Sequence, residues 1–439
     1  MQNKQICKYV LPAVGGLCVT YLYNIIDGIF VGQGVGATAL GSVNIAVPFI
    51  TFAVAIATML PMGGATIVAI RTGREDYEGA NHAFITAFIL TALFSVILTA
   101  VGLLFPREVV LLSGGYGLSE NMIQSAQDYI FYYMLFAAPM LMSNCLSVFV
   151  RNDGSPTLSF VGMCGGALTN VFLDWLFIYP LQWGIIGAAI ASGLGQIVSL
   201  LILSLHFLQK KGNLRIKFHP ISGKLIGKIF MRGLPEGISQ MNTPITALCF
   251  NIVLARMVGD IGVSTFSVLG FIFSLSNAIL SGAVQGLQPL WGVSYGMRDN
   301  KGLRYCKLWG LKVNVLVSIL LYVILCIFTQ QSIRVFNQDA DLIASASAAL
   351  PAFALSFIPM AVNLVYTGYF FSTKCTKQAN IIAISRGILT KAVCIFGVPI
   401  LFGVDWIWYA PFATELITLG MTLVIILFEK KRNGLQLLC

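Results

Sequence analysis

One stretch near the start of the chain decides its class: residues 28–70, GIFVGQGVGATALGSVNIAVPFITFAVAIATMLPMGGATIVAI, carry no charged side chain. A helix crosses the hydrocarbon core of a bilayer with about 20 mostly apolar residues, so this stretch is too long for a single crossing. Gly32, Gly34 and Gly36 supply a turn that divides it between two helices. The stretch therefore predicts two consecutive membrane spans.

The composition of the whole chain points the same way. The 439 residues are 57% hydrophobic and only 10% charged, with a mean hydropathy of +0.84. Soluble domains carry about 25% charged residues, so this chain cannot cover a surface that faces water. The composition predicts an all-α integral membrane protein. It excludes a disordered chain, a disulfide scaffold and a coiled coil.

Clusters of charge divide the chain into twelve apolar stretches that are long enough to cross a membrane. The first follows Lys4 and Lys8, as in a signal peptide. It continues to about Val31, carries Asp27 and has no small-residue cleavage site, so we expect it to be retained. The predicted spans are 9–33, 38–70, 83–105, 129–150, 157–180, 185–208, 234–258, 263–292, 308–329, 342–370, 378–402 and 406–428.

The basic residues are distributed unequally between the two sides of these spans. All but five of the 27 lysines and arginines lie at span ends on the same side as the N-terminus. The five others are Arg107, Arg256 and Arg334 at opposite ends, and Arg386 and Lys391 inside a span. Because basic loops stay in the cytoplasm, both termini are predicted to be cytoplasmic.

The segment 209–233 carries several basic residues and no acid. We interpret it as a cytoplasmic linker that lies along the anionic inner leaflet. It separates a six-helix N-terminal lobe, 1–208, from a six-helix C-terminal lobe, 234–439, which ends in a short basic tail.

The two halves read as an internal repeat. Leu11 and Leu234 define an offset of 223 residues, and no gap is needed to extend it. Six spans per half mean that both halves enter the membrane from the same side. This predicts two bundles related by a pseudo-two-fold along the membrane normal, with the substrate site in a cleft between them. The matched positions include Pro12 with Pro235, Gly73 with Gly296, Asp76 with Asp299, Gly79 with Gly302, Phe105 with Phe328 and Arg151 with Lys374.

In the first half, two acids lie inside predicted spans, where an ionisable group is costly and usually serves a function. Asp27 and Asp174 both fall roughly 26 Å from the inner ends of their spans at 1.5 Å per residue. Asn24 and Asn170 share a helix face with them. Two acids and two amides at one depth suit a buried H⁺ or Na⁺ site, with Na⁺ at Asp27, Asn170 and Asp174. Structural polar anchors are the alternative.

A second polar group lies in the last two predicted spans. Lys391 and Glu415 are at similar depth, and we expect a buried ion pair between them, with Arg386 nearer the cytoplasm. A structural clamp is the first interpretation, and a polar patch that faces substrate in the cleft is the second. Glu236, after Pro235, is interpreted as a charge in the first turn of a helix, where the helix dipole favours it.

The histidines and cysteines predict no metal centre. His82, His206 and His219 fall unpaired at span ends or in loops, and the ten cysteines are scattered without a CxxC pair. We therefore expect no cofactor and no enzymatic activity. The one ion we expect is the coupling ion.

Several stretches together resemble the multidrug and toxic compound extrusion (MATE) family, over nearly the whole chain and with 6 + 6 spans. The branch that the chain resembles is the bacterial DNA-damage-inducible F-like branch. The stretches are NIIDGIFVGQGVGATALGSVNIAVPF (24–49), RNDGSP (151–156), TNVFLDWLFIY (169–179), GIIGAAIASGLGQ (184–196), RGLPEGISQ (232–240) and GLQPLWGVSYG (286–296).

The resemblance implies a secondary exporter of cationic, amphipathic small molecules, driven by inward H⁺ or Na⁺ and coupled in its first half. It also implies a multi-pass protein of the bacterial cytoplasmic membrane that is monomeric and binds no nucleic acid. Pro12 matches a proline associated with bending of the first helix. Ser192 stands where the family commonly has Thr. The ion-coupling residues carried over are Asp27, Tyr23, Asn144, Asn170, Asp174 and Ser192.

Three other classes of membrane protein are alternatives to an exporter. A lipid-linked oligosaccharide flippase of the same superfamily needs a cationic cavity for pyrophosphate, and Arg386 and Lys391 keep that alternative open. A membrane enzyme requires histidine or paired acids at a membrane face, and the histidines of this chain are unpaired and peripheral. A channel requires symmetric filter-like motifs, which the sequence lacks.

Overall fold

The computed structural model describes residues 3–35, 37–115, 120–217, 222–335, 339–373 and 375–433. These residues form helices and no strand, which confirms the predicted all-α class. Leu111–Gly115 and Ser385–Leu389 are π-helical turns, and Val404–Tyr409 is a 3₁₀ helix. The α-helices are α1 (Asn3–Gly34), α2 (Ala37–Thr72), α3 (Tyr77–Leu104), α4 (Pro106–Val110), α5 (Glu120–Leu135), α6 (Ala137–Asn152), α7 (Pro156–Ile178), α8 (Gly184–Leu208), α9 (Gly223–Met257), α10 (Asp260–Gly296), α11 (Asn300–Ile327), α12 (Thr329–Arg334), α13 (Ala340–Ala354), α14 (Phe357–Ser372), α15 (Thr376–Ile384), α16 (Thr390–Phe402) and α17 (Ala410–Asn433).

The described helices account for the twelve predicted spans. Nine helical stretches are long and apolar enough to cross a membrane, and two bent pairs, α5 with α6 and α13 with α14, bring the number to 11. Helix α9 has 35 residues and is the twelfth, although its basic first turns make it less apolar. Helix α1 ends at Gly34 and α2 begins at Ala37, as the predicted glycine turn requires; Gly36 itself lies outside the described residues.

Each bent pair has a proline just after its break. The axis turns by 51° between α5 and α6 and by 43° between α13 and α14. Pro139 and Pro359 are each the third residue of the second helix in the pair. A proline lacks the N–H that would bond back across the break and disfavours helical geometry before it. Two spans that read as continuous in the sequence are therefore bent.

The chain divides into two compact units, and the division falls inside α9. The first unit is Cys7–Gly237, and the second unit is Met1–Ile6 with Ile238–Cys439. Helix α9 begins at Gly223, so the part of the predicted linker from 223 to 233 is helical. Glu236 is therefore well inside a helix, and the interpretation as a first-turn charge is wrong. His219, in the same linker, lies outside the described residues.

The helix bounds refine the internal repeat. Helices α3 and α11 begin 223 residues apart and have matching N-caps, in which the Asp76 and Asp299 carboxylates accept from the amides three residues on. From α5 and α13 to α7 and α15, corresponding helices begin 220 residues apart, and α8 is the same distance from the 3₁₀ helix that begins at Val404. The ungapped offset is therefore wrong for the later spans, because the second half is three residues shorter before α13. With an offset of 220, the residue matching Asp174 is Cys394, so the second half has no acid at this position. Lys374, which was matched with Arg151, lies outside the described residues.

Close packing of α2 against the start of α9 in the first unit gives a testable stability effect. A Cβ at Gly63 would overlap the Ile229 carbonyl oxygen and lie 2.8 Å from the Gly233 amide nitrogen. Backbone cannot yield as a side chain does, so Gly63→Ala is expected to lower the free energy of unfolding by about 1–3 kcal/mol. The apparent melting temperature in detergent measures this.

Gly420→Ala in α17 is the matched control, because nothing lies within 4 Å of a Cβ there. In a helix interior this change is expected to be neutral or to stabilise by up to about 1 kcal/mol. Equal melting temperatures for the two variants would contradict the packing argument.

Candidate functional site

The acidic site of the first unit depends on close contact between α1 and α7. A Cβ at Gly15 would lie 2.8 Å from the Phe160 ring, and one at Gly16 would lie 2.7 Å from the Met163 sulfur. At the other end of α1, a Cβ at Gly34 would overlap the Ile178 side chain. The absence of side chains at these glycines lets the two helices approach, and each helix carries one of the predicted acids.

The structure brings Asp27 of α1 and Asp174 of α7 together. Their carboxyl groups lie within electrostatic range of one another. Asp174 is fully buried, at 0% exposed, and Asp27 is partly buried. Two carboxylates cannot hydrogen-bond to each other, because neither donates. A bond between them forms when one carries a proton, and a cation between them serves the same electrostatic purpose.

Unpaired oxygen atoms surround this acid pair. Both carboxyl oxygens of Asp174, Oδ1 of Asp27 and Oδ1 of Asn170 are buried without a hydrogen-bond partner among the described residues. The side-chain amide nitrogen of Asn170 donates to Ser192 Oγ of α8, at 3.2 Å. The side-chain oxygen of Asn170 can therefore still accept a hydrogen bond or bind a cation. Orphaned oxygens of this kind are costly unless a proton or a cation satisfies them. Carboxylate and amide oxygens fit H⁺ or Na⁺.

Three tyrosines form the electrostatic surroundings of the two acids. Tyr23 lies one turn before Asp27 on α1. On α5, Tyr129 lies within electrostatic range of both acids and Tyr133 within range of Asp27. The Tyr129 and Tyr133 rings are 5.5 Å apart between centroids. Tyr23 was predicted from the resemblance; the two tyrosines of α5 were missed. Their spacing of four residues, which puts them on one helix face, was the only available signal.

Asn144 occupies a different position from the other predicted site residues. Its amide donates to Thr58 Oγ1 of α2 at 3.4 Å, and Thr58 in turn donates to the Val54 carbonyl at 2.8 Å. No hydrogen bond between described residues joins Asn144 to either acid. Within the described structure, Asn144 connects α6 to α2.

Pro12 lies inside α1, which is a continuous helix from Asn3 to Gly34. A proline in a helix interior leaves the carbonyl four residues earlier without its usual bond and allows a bend. The position is near one end of α1, and Asp27 is near the other.

The second unit contains a buried ion pair, but not the predicted one. Arg386 Nε donates to Glu415 Oε1 at 2.8 Å, and the Asn363 amide donates to Glu415 Oε2, also at 2.8 Å. The predicted Lys391–Glu415 pair is therefore wrong. Lys391 Nζ donates to Asn242 Oδ1 at 2.6 Å and to Thr246 Oγ1 at 2.8 Å, both on α9.

The π-helical turn Ser385–Leu389 explains why these two cations share the interior. Five residues rotate a side chain by about 500° in an α-helix, so Arg386 and Lys391 would point about 140° apart. In the π-turn the Thr390 amide bonds to the Ser385 carbonyl, five residues back, and five residues make nearly one full turn. Both side chains are buried as a result.

His206 is paired, contrary to the expectation that the histidines are isolated. Its Nε2 lies 2.9 Å from Asp153 Oδ2, and the same carboxylate accepts from the Asn213 and Leu214 amides at 2.9 and 3.0 Å. Asp153 thus fastens the segment after α8 to the end of α6, a structural role. Among the described residues, no group of three or more His, Cys, Asp or Glu could hold a metal ion.

These features define a class of protein: a polytopic helical membrane protein with two acids close together in one unit, one of them fully buried, and two buried basic side chains in the other. The profile of the MatE family matches residues 12–176 and 235–396, and the chain belongs to this family. Members of the family are transporters, not enzymes; they are ion-coupled and need no cofactor.

Individual relatives are similar over nearly their full length. The multidrug export protein MepA of Staphylococcus aureus (strain bovine RF122 / ET3-1) is 21% identical over 438 residues, covering 98% of this chain and 94% of the relative. An outward-facing multidrug resistance MATE family transporter of the MOP superfamily is similar with a TM-score of 0.90, at 22% identity over 98% of this chain and 95% of that one. A MATE structure described as a bent conformation has a TM-score of 0.87, at 22% identity over 98% and 95% of the two chains.

Proposed function

We propose that the protein is a multidrug exporter of a cytoplasmic membrane, which exchanges cationic amphipathic compounds for H⁺ or Na⁺ by alternating access. The observation that supports this most is the buried acid pair, Asp27 and Asp174, with oxygen atoms that lack partners. The names of the relatives support multidrug export as the activity. The distribution of basic residues supports cytoplasmic termini, and we treat the protein as a monomer.

In the proposed cycle the acid pair alternates between a state that binds H⁺ or Na⁺ and a state whose negative charge favours a cationic substrate. With the site open to the outside, H⁺ or Na⁺ binds at Asp27 and Asp174, where the Asn170 oxygen is a further ligand for Na⁺. Neutralising the acids weakens their attraction for a cationic substrate, which leaves. After the switch to the inside the ion dissociates, and the restored negative charge favours a new cationic substrate. Tyr23, Asn144 and Ser192 support the site, and Pro12 is the proposed hinge of α1.

The available ion gradient is large enough for this exchange. A membrane potential of 100 mV supplies about 2.3 kcal/mol per charge, and one pH unit supplies about 1.4 kcal/mol. Together they support a substrate gradient of roughly a few hundredfold for one ion per turnover.

The flippase alternative loses support from the second unit. It needs both Arg386 and Lys391 to be free for a pyrophosphate. Glu415 already neutralises Arg386 through a 2.8 Å contact, which leaves one cation for a group with several negative charges.

Ethidium efflux from proteoliposomes, with the pH and Na⁺ gradients imposed separately, tests the proposal. We expect one of the two gradients to drive ethidium against its own gradient, since an antiporter converts one gradient into the other. Protein-free liposomes are the control. If folded protein gave no gradient-driven movement of ethidium in either condition, ion-coupled export would be refuted and the flippase alternative would be favoured.

A further inference from the structure

The second unit contains a cavity of about 320 Å³. This volume lies within the range of sites that bind drug-sized molecules. Five of its sixteen described lining residues are phenylalanines, and six carry a hydroxyl or amide group. The aromatic lining residues are Phe250, Phe266, Phe271, Phe273 and Phe353.

The aromatic wall is already ordered. The Phe250 and Phe266 rings are stacked with centroids 4.4 Å apart, and Phe353 meets Phe266 edge-on at 6.5 Å. Stacked and edge-on rings are favourable arrangements that fix the faces they present. These three rings are buried, at 0–8% exposed, so they hold the wall rigid, and a ligand would lose little free energy in ordering it.

Lys391 is the single charged residue in the described lining of this cavity. Its Nζ lies 6.0 Å from the centre of the Phe273 ring, and the residue is buried at 6% exposed. Asn242 and Thr246 take two of its three N–H donors. The third donor is available to a ligand in the cavity.

The charge of Lys391 is not balanced by its surroundings. The groups within electrostatic range are Glu415, Arg386 and Cys249. Glu415 is bound by Arg386, so these two cancel, and Lys391 in its protonated form is one net positive charge beside the cavity. A buried charge is strongly favoured to acquire a partner of opposite sign. The first unit has the reverse imbalance, with two acids together.

We propose that this cavity binds aromatic organic anions, and the anionic end of aromatic zwitterions, with a carboxylate on Lys391 Nζ and the ring system among the phenylalanines. The site is distinct from the acid pair and assigns a second ligand class to the protein. It concerns binding, so it stands or falls separately from the proposed ion coupling.

The test is a set of three probes of the same ring system that differ in charge: 9-anthracenecarboxylate, its methyl ester and 9-(aminomethyl)anthracene. Binding to the purified full-length protein is measured by calorimetry in detergent, with detergent blanks. We expect the carboxylate to bind at least about tenfold more tightly than the ester, and the amine to bind most weakly, because only the carboxylate forms an ion pair with protonated Lys391. Equal affinity for carboxylate and ester would overturn the proposal, even without any variant.

Two substitutions separate charge from ring contact. Lys391→Met keeps the side-chain stem and is expected to weaken the carboxylate about tenfold while the ester changes less than about twofold. Phe271→Leu is expected to weaken both probes by the same factor. Lys312→Met, an exposed lysine of α11, is the matched control and is expected to change neither. Unchanged carboxylate binding in Lys391→Met would refute the assignment.

Discussion

Replacing Asp174 with asparagine is expected to reduce ion-driven export severalfold or more and to leave the protein folded. Asparagine has nearly the same shape, but it cannot take up a proton or neutralise Na⁺. Coupling between two ligands is typically worth about 1–3 kcal/mol, or roughly 5- to 150-fold. We therefore expect the stimulation of ethidium efflux by the driving gradient to fall by such a factor, both in Asp174→Asn and in Asp27→Asn.

The same variants are expected to change how ethidium binding depends on the medium. In the wild-type protein, binding should weaken as the pH falls, or as Na⁺ rises, because neutralised acids attract a cation less. In Asp27→Asn with Asp174→Asn the acids are permanently neutral. Ethidium binding should then be weak and nearly independent of pH and Na⁺. Equilibrium titration of detergent-solubilised protein at several pH values and Na⁺ concentrations measures this.

Asp341→Asn is the matched control for the acid pair. Asp341 is exposed in the first turn of α13, so the same chemical change should leave efflux and its gradient dependence as in the wild type. Size-exclusion profiles show whether each variant is folded. If a folded Asp174→Asn protein retains full gradient-driven efflux, the acid pair is a structural anchor and the coupling site lies elsewhere.

The sequence was most informative where a single physical rule applied. Hydropathy and the cost of a buried charge predicted the spans and selected Asp27 and Asp174, because an acid in an apolar helix stands out without any structure. The two acids lie together because α1 and α7 approach each other closely, which hydropathy does not predict. The glycines that allow it, Gly15 and Gly16, looked like any others in a chain with 43 glycines.

Other parts of the acidic site were beyond such rules. Tyr129 and Tyr133 are ordinary aromatic residues in a membrane helix, and what distinguishes them is the direction in which α5 turns them. Helix α5 ends at the break before α6. Asn144 was predicted to belong to the acidic site, but its side chain donates to Thr58 on α2. Side-chain direction depends on packing between helices that are distant in sequence.

In the second unit, the depth of the residues along their spans predicted the wrong ion pair because of a local change in one helix. Lys391 and Glu415 are at similar distances from their inner span ends, which predicted an ion pair. The π-turn at Ser385–Leu389 inserts an extra residue into one turn and directs Arg386 to Glu415 instead. Nothing in the residues SRGIL distinguishes a π-turn from a regular helix, because the choice depends on the tertiary contacts that it satisfies.

Glu415→Gln is expected to be among the most destabilising single substitutions in the second unit. Arg386 and Glu415 are both buried, at 7% and 4% exposed. Removing one partner of such a pair leaves an unpaired charge, which costs about 3–5 kcal/mol. We expect the apparent melting temperature in detergent to fall by roughly 6 °C or more, at 2–4 °C per kcal/mol for a unit of this size.

Replacing the other partner of the pair, in Arg386→Gln, is expected to lower the stability less than Glu415→Gln, because the two variants leave different charges unpaired. Glu415→Gln leaves two buried cations, Arg386 and Lys391, which repel each other. Arg386→Gln leaves Glu415 within electrostatic range of Lys391, so a neutral pair is still present. Adding Lys391→Met to Glu415→Gln should therefore recover part of the lost stability, and the same addition to Arg386→Gln should lower stability further.

The exposed ion pair of Arg107 and Glu120 supplies the matched control. Its N–O distance is 2.7 Å, close to that of the buried pair, but its side chains are 53% and 64% exposed. Water screens such a pair, and Glu120→Gln should cost less than about 1 kcal/mol. If Glu415→Gln cost no more than Glu120→Gln, the buried pair would not hold the second unit together. If Arg386→Gln cost as much as Glu415→Gln, Lys391 would not be the uncompensated charge on which the anion site depends.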